Sequence, residues 1–126
     1  MKGDFDNNLP IYQQIIEQIL TEIASGVLSP GEKVAPVRDL AAQYKVNPNT
    51  MQKALAKLED GGYLFTERTS GRFVTRDTEL IQGLRTNMTA SVTNKYIKEM
   101  QDIGMTLEQI LDYVTNHIKG SGSQNG

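Results

Sequence analysis

The stretch YKVNPNTMQKAL, residues 44–55, decides the fold. Asn47 is a good helix cap, because its side-chain oxygen can accept an orphan backbone N–H of the first turn. Pro48 suits the first helical position, where a missing N–H costs nothing. Met51, Ala54, Leu55 and Leu58 then recur at helical spacing and predict a buried stripe, ended by Gly61 and Gly62. With that stripe turned inward, Asn49, Thr50, Gln52, Lys53, Ala56 and Lys57 face outward, and most of them can hydrogen-bond or carry positive charge.

Upstream, PVRDLAAQY (36–44) places Val37, Leu40, Ala41 and Tyr44 at i, i+3, i+4 and i+7, with Pro36 suited to the first turn. Only Lys45 and Val46 separate this helix from Asn47. So short a connection makes two helices meet at a steep angle rather than lie antiparallel. Earlier still, LPIYQQIIEQILTEIASG (9–26) spaces Ile11, Ile15, Ile19 and Ile23 by four, and Ile16 and Leu20 widen the stripe. This predicts an amphipathic helix opened near Pro10 and closed by Gly26, with SPGEK following as a turn. Downstream, YLFTER (63–68) and RFVTR (72–76) read as strands, and TSG between them supplies the turn of a hairpin.

Three helices and a hairpin in that order describe a winged helix-turn-helix, a mostly α fold with a small β-hairpin. In such a module the third helix enters the major groove with its N-terminal residues toward the base edges. Asn and Gln can pair bidentately with adenine, and Lys can donate to guanine, so Asn49, Gln52 and Lys53 are candidate base readers. Thr50 is expected at a phosphate, Arg38 at a phosphate or groove edge. Arg68, Ser70, Gly71 and Arg72 form a basic wing tip for the flanking backbone or minor groove.

The formal charge of −2 argues against a polyanionic partner until its distribution is considered. Between Lys33 and Arg76 eight basic residues face four acidic ones, a net +4 on the segment that carries the motif. The chain has no cysteine and a single histidine, His117, and no paired carboxylates beside a nucleophile. No catalytic centre, metal site or cofactor is expected, and the chain does not read as an enzyme. No apolar signal core opens the sequence, and no uncharged apolar run nears the roughly 18 residues needed to cross a bilayer, so the expected setting is a reducing cytoplasm.

From Asp77, Leu80, Ile81, Leu84, Met88, Val92, Ile97, Met100 and Ile103 carry a mixed helical and heptad-like pattern to Gly104. Its middle, TNMTASVTNK (86–95), is rich in Thr and Asn, and a kink or break is expected there. Thr106 and Gln109 form a capping box for one more helix, which carries Leu107, Ile110, Leu111, Val114 and Ile118 on one face. A lone helical hairpin cannot cover all these apolar positions, so they are expected to dimerise the chain. The resulting layout is a DNA-binding domain at 1–76, a short helical dimerisation region of two helices at 77–119, and GSGSQNG (120–126) as a flexible tail.

Residues 10–74 resemble the DNA-binding domain of GntR-type bacterial transcription regulators, through the PGEK turn, PVRDLA, VNPNTMQKAL and the wing SGRFV in order. A C-terminal remainder of about fifty residues is similar to the YtrA subfamily, in which this region dimerises rather than binds a ligand in a large domain. The resemblance implies a homodimeric repressor on an inverted-repeat operator in double-stranded DNA, and it allows an unidentified small-molecule effector. By position it assigns Arg38, Asn47, Asn49, Thr50, Gln52, Lys53, Ser70, Gly71 and Arg72 to DNA, and Lys57 is expected to add affinity beside them. Relatives favour arginine where Pro48 and Gln52 stand, so the base preference is expected to differ. They favour glycine where Lys45 stands, and a left-handed lysine there is expected to cost about 1 kcal/mol.

Overall fold

The computed structural model describes residues 9–125, so residues 1–8 of the expected first domain and Gly126 of the expected tail lie outside the described residues. The chain forms two compact units, Met1–Arg85 and Thr86–Gly126. The first contains α1 (Ile11–Ser25), α2 (Val37–Tyr44), α3 (Pro48–Asp60), β1 (Leu64–Glu67), β2 (Gly71–Val74) and the opening turns of α4 (Thr78–Asp102). The second contains the rest of α4 and α5 (Leu107–Asn125).

The core of the first unit is built from the predicted stripes. Ile15, Ile19 and Ile23 of α1, Leu40, Ala41 and Tyr44 of α2, and Met51, Ala54, Leu55 and Leu58 of α3 are all buried. Ile11, at the head of the α1 stripe, stays exposed. α3 packs on both α1 and α2. Burial of the Tyr44 phenol, together with the nearby Glu22 carboxylate, pushes its pKa up to about 12, so the ring sits in the core as a neutral phenol.

The turn between α2 and α3 is tight, as its length requires. Lys45 is left-handed, at φ 58° and ψ 46°, and its N–H donates to the Ala42 carbonyl at 3.2 Å while that of Val46 reaches Ala41 at 3.0 Å. Lys45 is the one non-glycine with positive φ among the described residues, and the conformation costs roughly 1–2 kcal/mol relative to right-handed backbone. Asn47 caps α3 as expected, its Oδ1 accepting from the Asn49 N–H at 2.7 Å.

β1 and β2 pair antiparallel, with Leu64 opposite Val74 and Glu67 opposite Gly71. The segment before α2 adds a short edge to this hairpin. Lys33 bridges Phe73, the Val34 N–H donates to the Arg72 carbonyl, and the Val74 N–H donates to Glu32, each bond at 2.9 Å. The wing is thereby tied to the helices at its base.

α4 runs without a break through the Thr- and Asn-rich segment, contrary to the expected kink. Those residues each cost a few tenths of a kcal/mol, about 0.5, in a helix, and neither Gly nor Pro lies between Leu84 and Ile103 to interrupt it. The first turns of α4 belong to the winged unit, so the units part after Arg85 and not after Arg76. Arg85 donates from Nε and Nη2 to the Ala24 carbonyl, at 3.0 and 2.9 Å, satisfying an orphan acceptor at the C-terminus of α1. Leu84, 7% exposed, is therefore a core residue of this unit, which corrects its expected place on the dimerisation face.

In the second unit, the Thr106 hydroxyl accepts from the Gln109 N–H and the Gln109 side chain accepts from the Thr106 N–H, at 3.2 and 3.0 Å, completing the capping box. α5 then continues to Asn125, through residues expected to be coil. A glycine costs only about 1 kcal/mol in a helix that is already nucleated, which does not suffice to end it. Among the described residues no helix is long and apolar enough to cross a membrane.

Candidate nucleic-acid interface

With its inner face buried, α3 presents Asn49, Gln52, Lys53 and Lys57 as exposed side chains and Thr50 as a half-exposed one. The Asn47 cap fixes where this row begins. Asn47 itself is exposed, but its Oδ1 is engaged within the helix start, leaving the amide nitrogen for an outside partner. Arg38 is exposed on the first turn of α2. Lys57 lies in the last turn of α3, where its charge complements the helix dipole.

Lys53 does not project freely. Its Nζ lies 3.9 Å from the centre of the Tyr12 ring on α1, a cation–π contact that draws the charge toward the flank of the helix. The spacing along α3 shows that Lys53 faces outward. It cannot show that a residue on α1, far earlier in the chain, will hold the side chain.

At the wing, Arg68 and Ser70 are exposed in the loop, and Gly71 sits at φ 114°, a region that disfavours any side chain. A Cβ on Gly71 would also lie 3.2 Å from Lys33 Cε, so this glycine lets Lys33 pass beneath the tip. Lys33 is thus an additional exposed cation beside the wing, visible in the sequence only as part of the basic window. Lys33, Pro36, Thr69, Ser70 and Gly71 help to line a shallow notch of about 420 Å³ between the wing and the approach to α2.

Arg72 does not project from the wing tip. Its side chain is 16% exposed and folds back to α3, where Nε lies 3.4 Å from Oε1 of Glu59. That nitrogen is buried with no hydrogen-bond partner, so the contact is a Coulombic pair without hydrogen-bond geometry. The Thr66 hydroxyl donates to the same Glu59 oxygen. Strand alternation explains the placement, since Thr66 and Arg72 are paired across the hairpin. Arg72 braces the wing against α3, while Arg68 in the wing loop and Lys33 beside it are exposed cations.

In the second unit, the predicted apolar positions separate into two groups. Ile110 is buried and Met88, Ile97, Met100 and Val114 are half-buried. Val92 (69%), Leu111 (68%) and Ile118 (64%) are well exposed, as are Ile103 and Leu107. Val92, Tyr96, Leu107, Leu111, Tyr113 and Ile118 help to line an open apolar groove of about 680 Å³ along α4 and α5. His117 lies in the same groove, stacked on Tyr113 with ring centres 6.0 Å apart.

A capped third helix packed on a second one across a short turn, and a hairpin wing braced beside it, define a winged helix-turn-helix. Residues 11–74 match the family described as bacterial regulatory proteins, gntR family. The chain belongs to that family. It is 34% identical over 120 residues to the HTH-type transcriptional regulator YhcF of Bacillus subtilis, covering 95% of this chain and 99% of that one. It is 33% identical over 110 residues to the HTH-type transcriptional repressor YtrA of the same organism, covering 86% and 84%. Among solved structures, a GntR family transcriptional regulator from Listeria monocytogenes superposes with a TM-score of 0.81 at 38% identity, over 89% of this chain and 98% of that one. The DNA-binding domain of AraR, solved in complex with operator ORE1, superposes with a TM-score of 0.52 at 30% identity, over 60% of this chain and 94% of that one.

Proposed function

We propose that this regulator is a homodimeric repressor that reads an inverted-repeat operator, one half-site per chain. The observation that carries the reading is the exposed row on α3. Asn49 and Gln52 stand at its N-terminal end, the end a winged helix presents to base edges, and both have the donor and acceptor pair that adenine matches. Thr50, Lys57 and Arg38 surround them as phosphate contacts, and Arg68, Ser70 and Lys33 extend the contact to the flanking backbone. The structural likeness to the operator-bound AraR domain supports DNA binding by this fold. The exposed apolar face of α4 and α5 supports dimerisation through residues 77–119, because a soluble monomer rarely leaves so large an apolar patch in water. Occupying a promoter as a dimer then represses by excluding polymerase.

A winged helix can also serve as a protein-docking module, and the overall charge of −2 suits that use. A mobility-shift assay with promoter fragments decides between the two. A discrete band that survives excess unrelated DNA is expected, and a chain that gives no such band even at low salt is a docking module.

A further inference from the structure

In the outward row on α3, Lys53 has its charged end held by another helix, the one such contact in that row among the described residues. We propose that Tyr12 and Lys53 form a clamp for a backbone phosphate, in which the tyrosine ring positions the ammonium at the flank of the reading helix. Lys53 then contributes affinity and not sequence choice, an assignment that rests on the DNA-binding reading above.

The first support is chemical. A ring face attracts an ammonium without neutralising its charge, and the N–H donors of Lys53 that point away from the ring stay available for phosphate oxygens. Neither ion pair found among the described residues involves Lys53, so no carboxylate neutralises it there. A lysine side chain also loses much rotamer freedom when it is immobilised on a ligand, and a ring that already holds it removes part of that cost.

The second support is positional. Tyr12 lies in the first turn of α1 and is half-buried, and Lys53 lies in the second turn of α3. Leaning from α3 onto α1 carries the ammonium off the centre of the reading face. Base edges lie at the floor of a major groove about 8.5 Å deep, and phosphates line its rims. A side chain resting on the neighbouring helix stays at the rim, whereas Asn49 and Gln52 are free of that tilt.

The test uses the full chain, a duplex carrying its selected site and a scrambled duplex of equal length, with affinity measured by fluorescence anisotropy across salt concentrations. Lys53→Ala is expected to weaken binding to both duplexes by the same factor. It should also lower the slope of log affinity against log salt by about 2, one phosphate for each chain of the dimer. Tyr12→Leu should weaken both about 5- to 30-fold, because two lysines per dimer must then be immobilised on binding, with the salt slope unchanged. Tyr12→Phe keeps the ring and should match the wild type, and Tyr12→Leu added to Lys53→Ala should have no further effect.

The proposal is overturned if Lys53→Ala weakens the selected site alone, which would make Lys53 a base reader, or if the two substitutions act additively. The Lys53→Ala arm decides by itself should Tyr12→Leu fail to fold, since Lys53 is exposed. A wild-type chain that binds neither duplex would instead remove the DNA-binding reading, and the clamp with it.

Discussion

Leu111→Glu combined with Ile118→Glu is expected to yield a folded monomer that binds the operator two to four orders of magnitude more weakly than the wild type. Both side chains are more than 60% exposed in the single chain, so each glutamate meets water in the monomer and opens no cavity. In a twofold interface the same two positions occur on both chains, and four carboxylates would have to be desolvated against apolar neighbours. The wild-type pair contributes roughly 1.5–3 kcal/mol for each large aliphatic side chain fully buried, and that gain is lost as well.

The effect on DNA follows from linkage. A dimer that holds one half-site presents its second reading head at an effective concentration of about millimolar, which commonly raises affinity by roughly 10²–10⁴ without a new contact. Sedimentation velocity reads the mass, anisotropy the affinity, and far-ultraviolet circular dichroism the retained helix. A variant that stays dimeric would place the interface elsewhere, and a monomer that binds as well as the wild type would separate dimerisation from DNA binding.

Gln52→Ala is expected to cost about 2–6 kcal/mol of operator affinity, and almost none on unrelated DNA. A good bidentate contact discriminates by about 1–3 kcal/mol, and a homodimer on an inverted repeat loses two at once. Gln52 is exposed and lies outside the buried stripe, so the thermal midpoint should not move. Titrations on the selected and the scrambled duplex separate the outcomes. Equal weakening on both would make Gln52 a backbone contact and leave Asn49 as the main reader.

How much of this was legible in the sequence follows from what helical periodicity can encode. The stripe of Met51, Ala54, Leu55 and Leu58 announced both the buried face of α3 and, by subtraction, the exposed row. Asn47 and Lys45 were readable because capping and left-handed backbone are local matters, set by a residue and its immediate neighbours. Periodicity does not say which distant group a long side chain will choose. Lys53 on Tyr12 and Arg72 on Glu59 are contacts across the tertiary fold, and both redirect a cation that composition alone sends outward. Leu84 fits the apolar pattern of α4 as well as Met88 does, yet it belongs to the winged unit because Arg85 fastens that part of the helix to the end of α1. The helical course of residues 120–125 was hidden for a related reason: composition reports the cost of each glycine, and not whether a preceding helix tolerates it.

The central claim is that two identical reading heads, held together by their C-terminal helices, recognise one symmetric operator. Selection of bound duplexes from a random pool by the full chain tests it most directly. The account predicts enrichment of an inverted repeat whose half-sites are centred about one helical turn or a multiple of it apart, with adenines where Asn49 and Gln52 meet the groove. Enrichment of a single unrepeated motif, or of none, would contradict it.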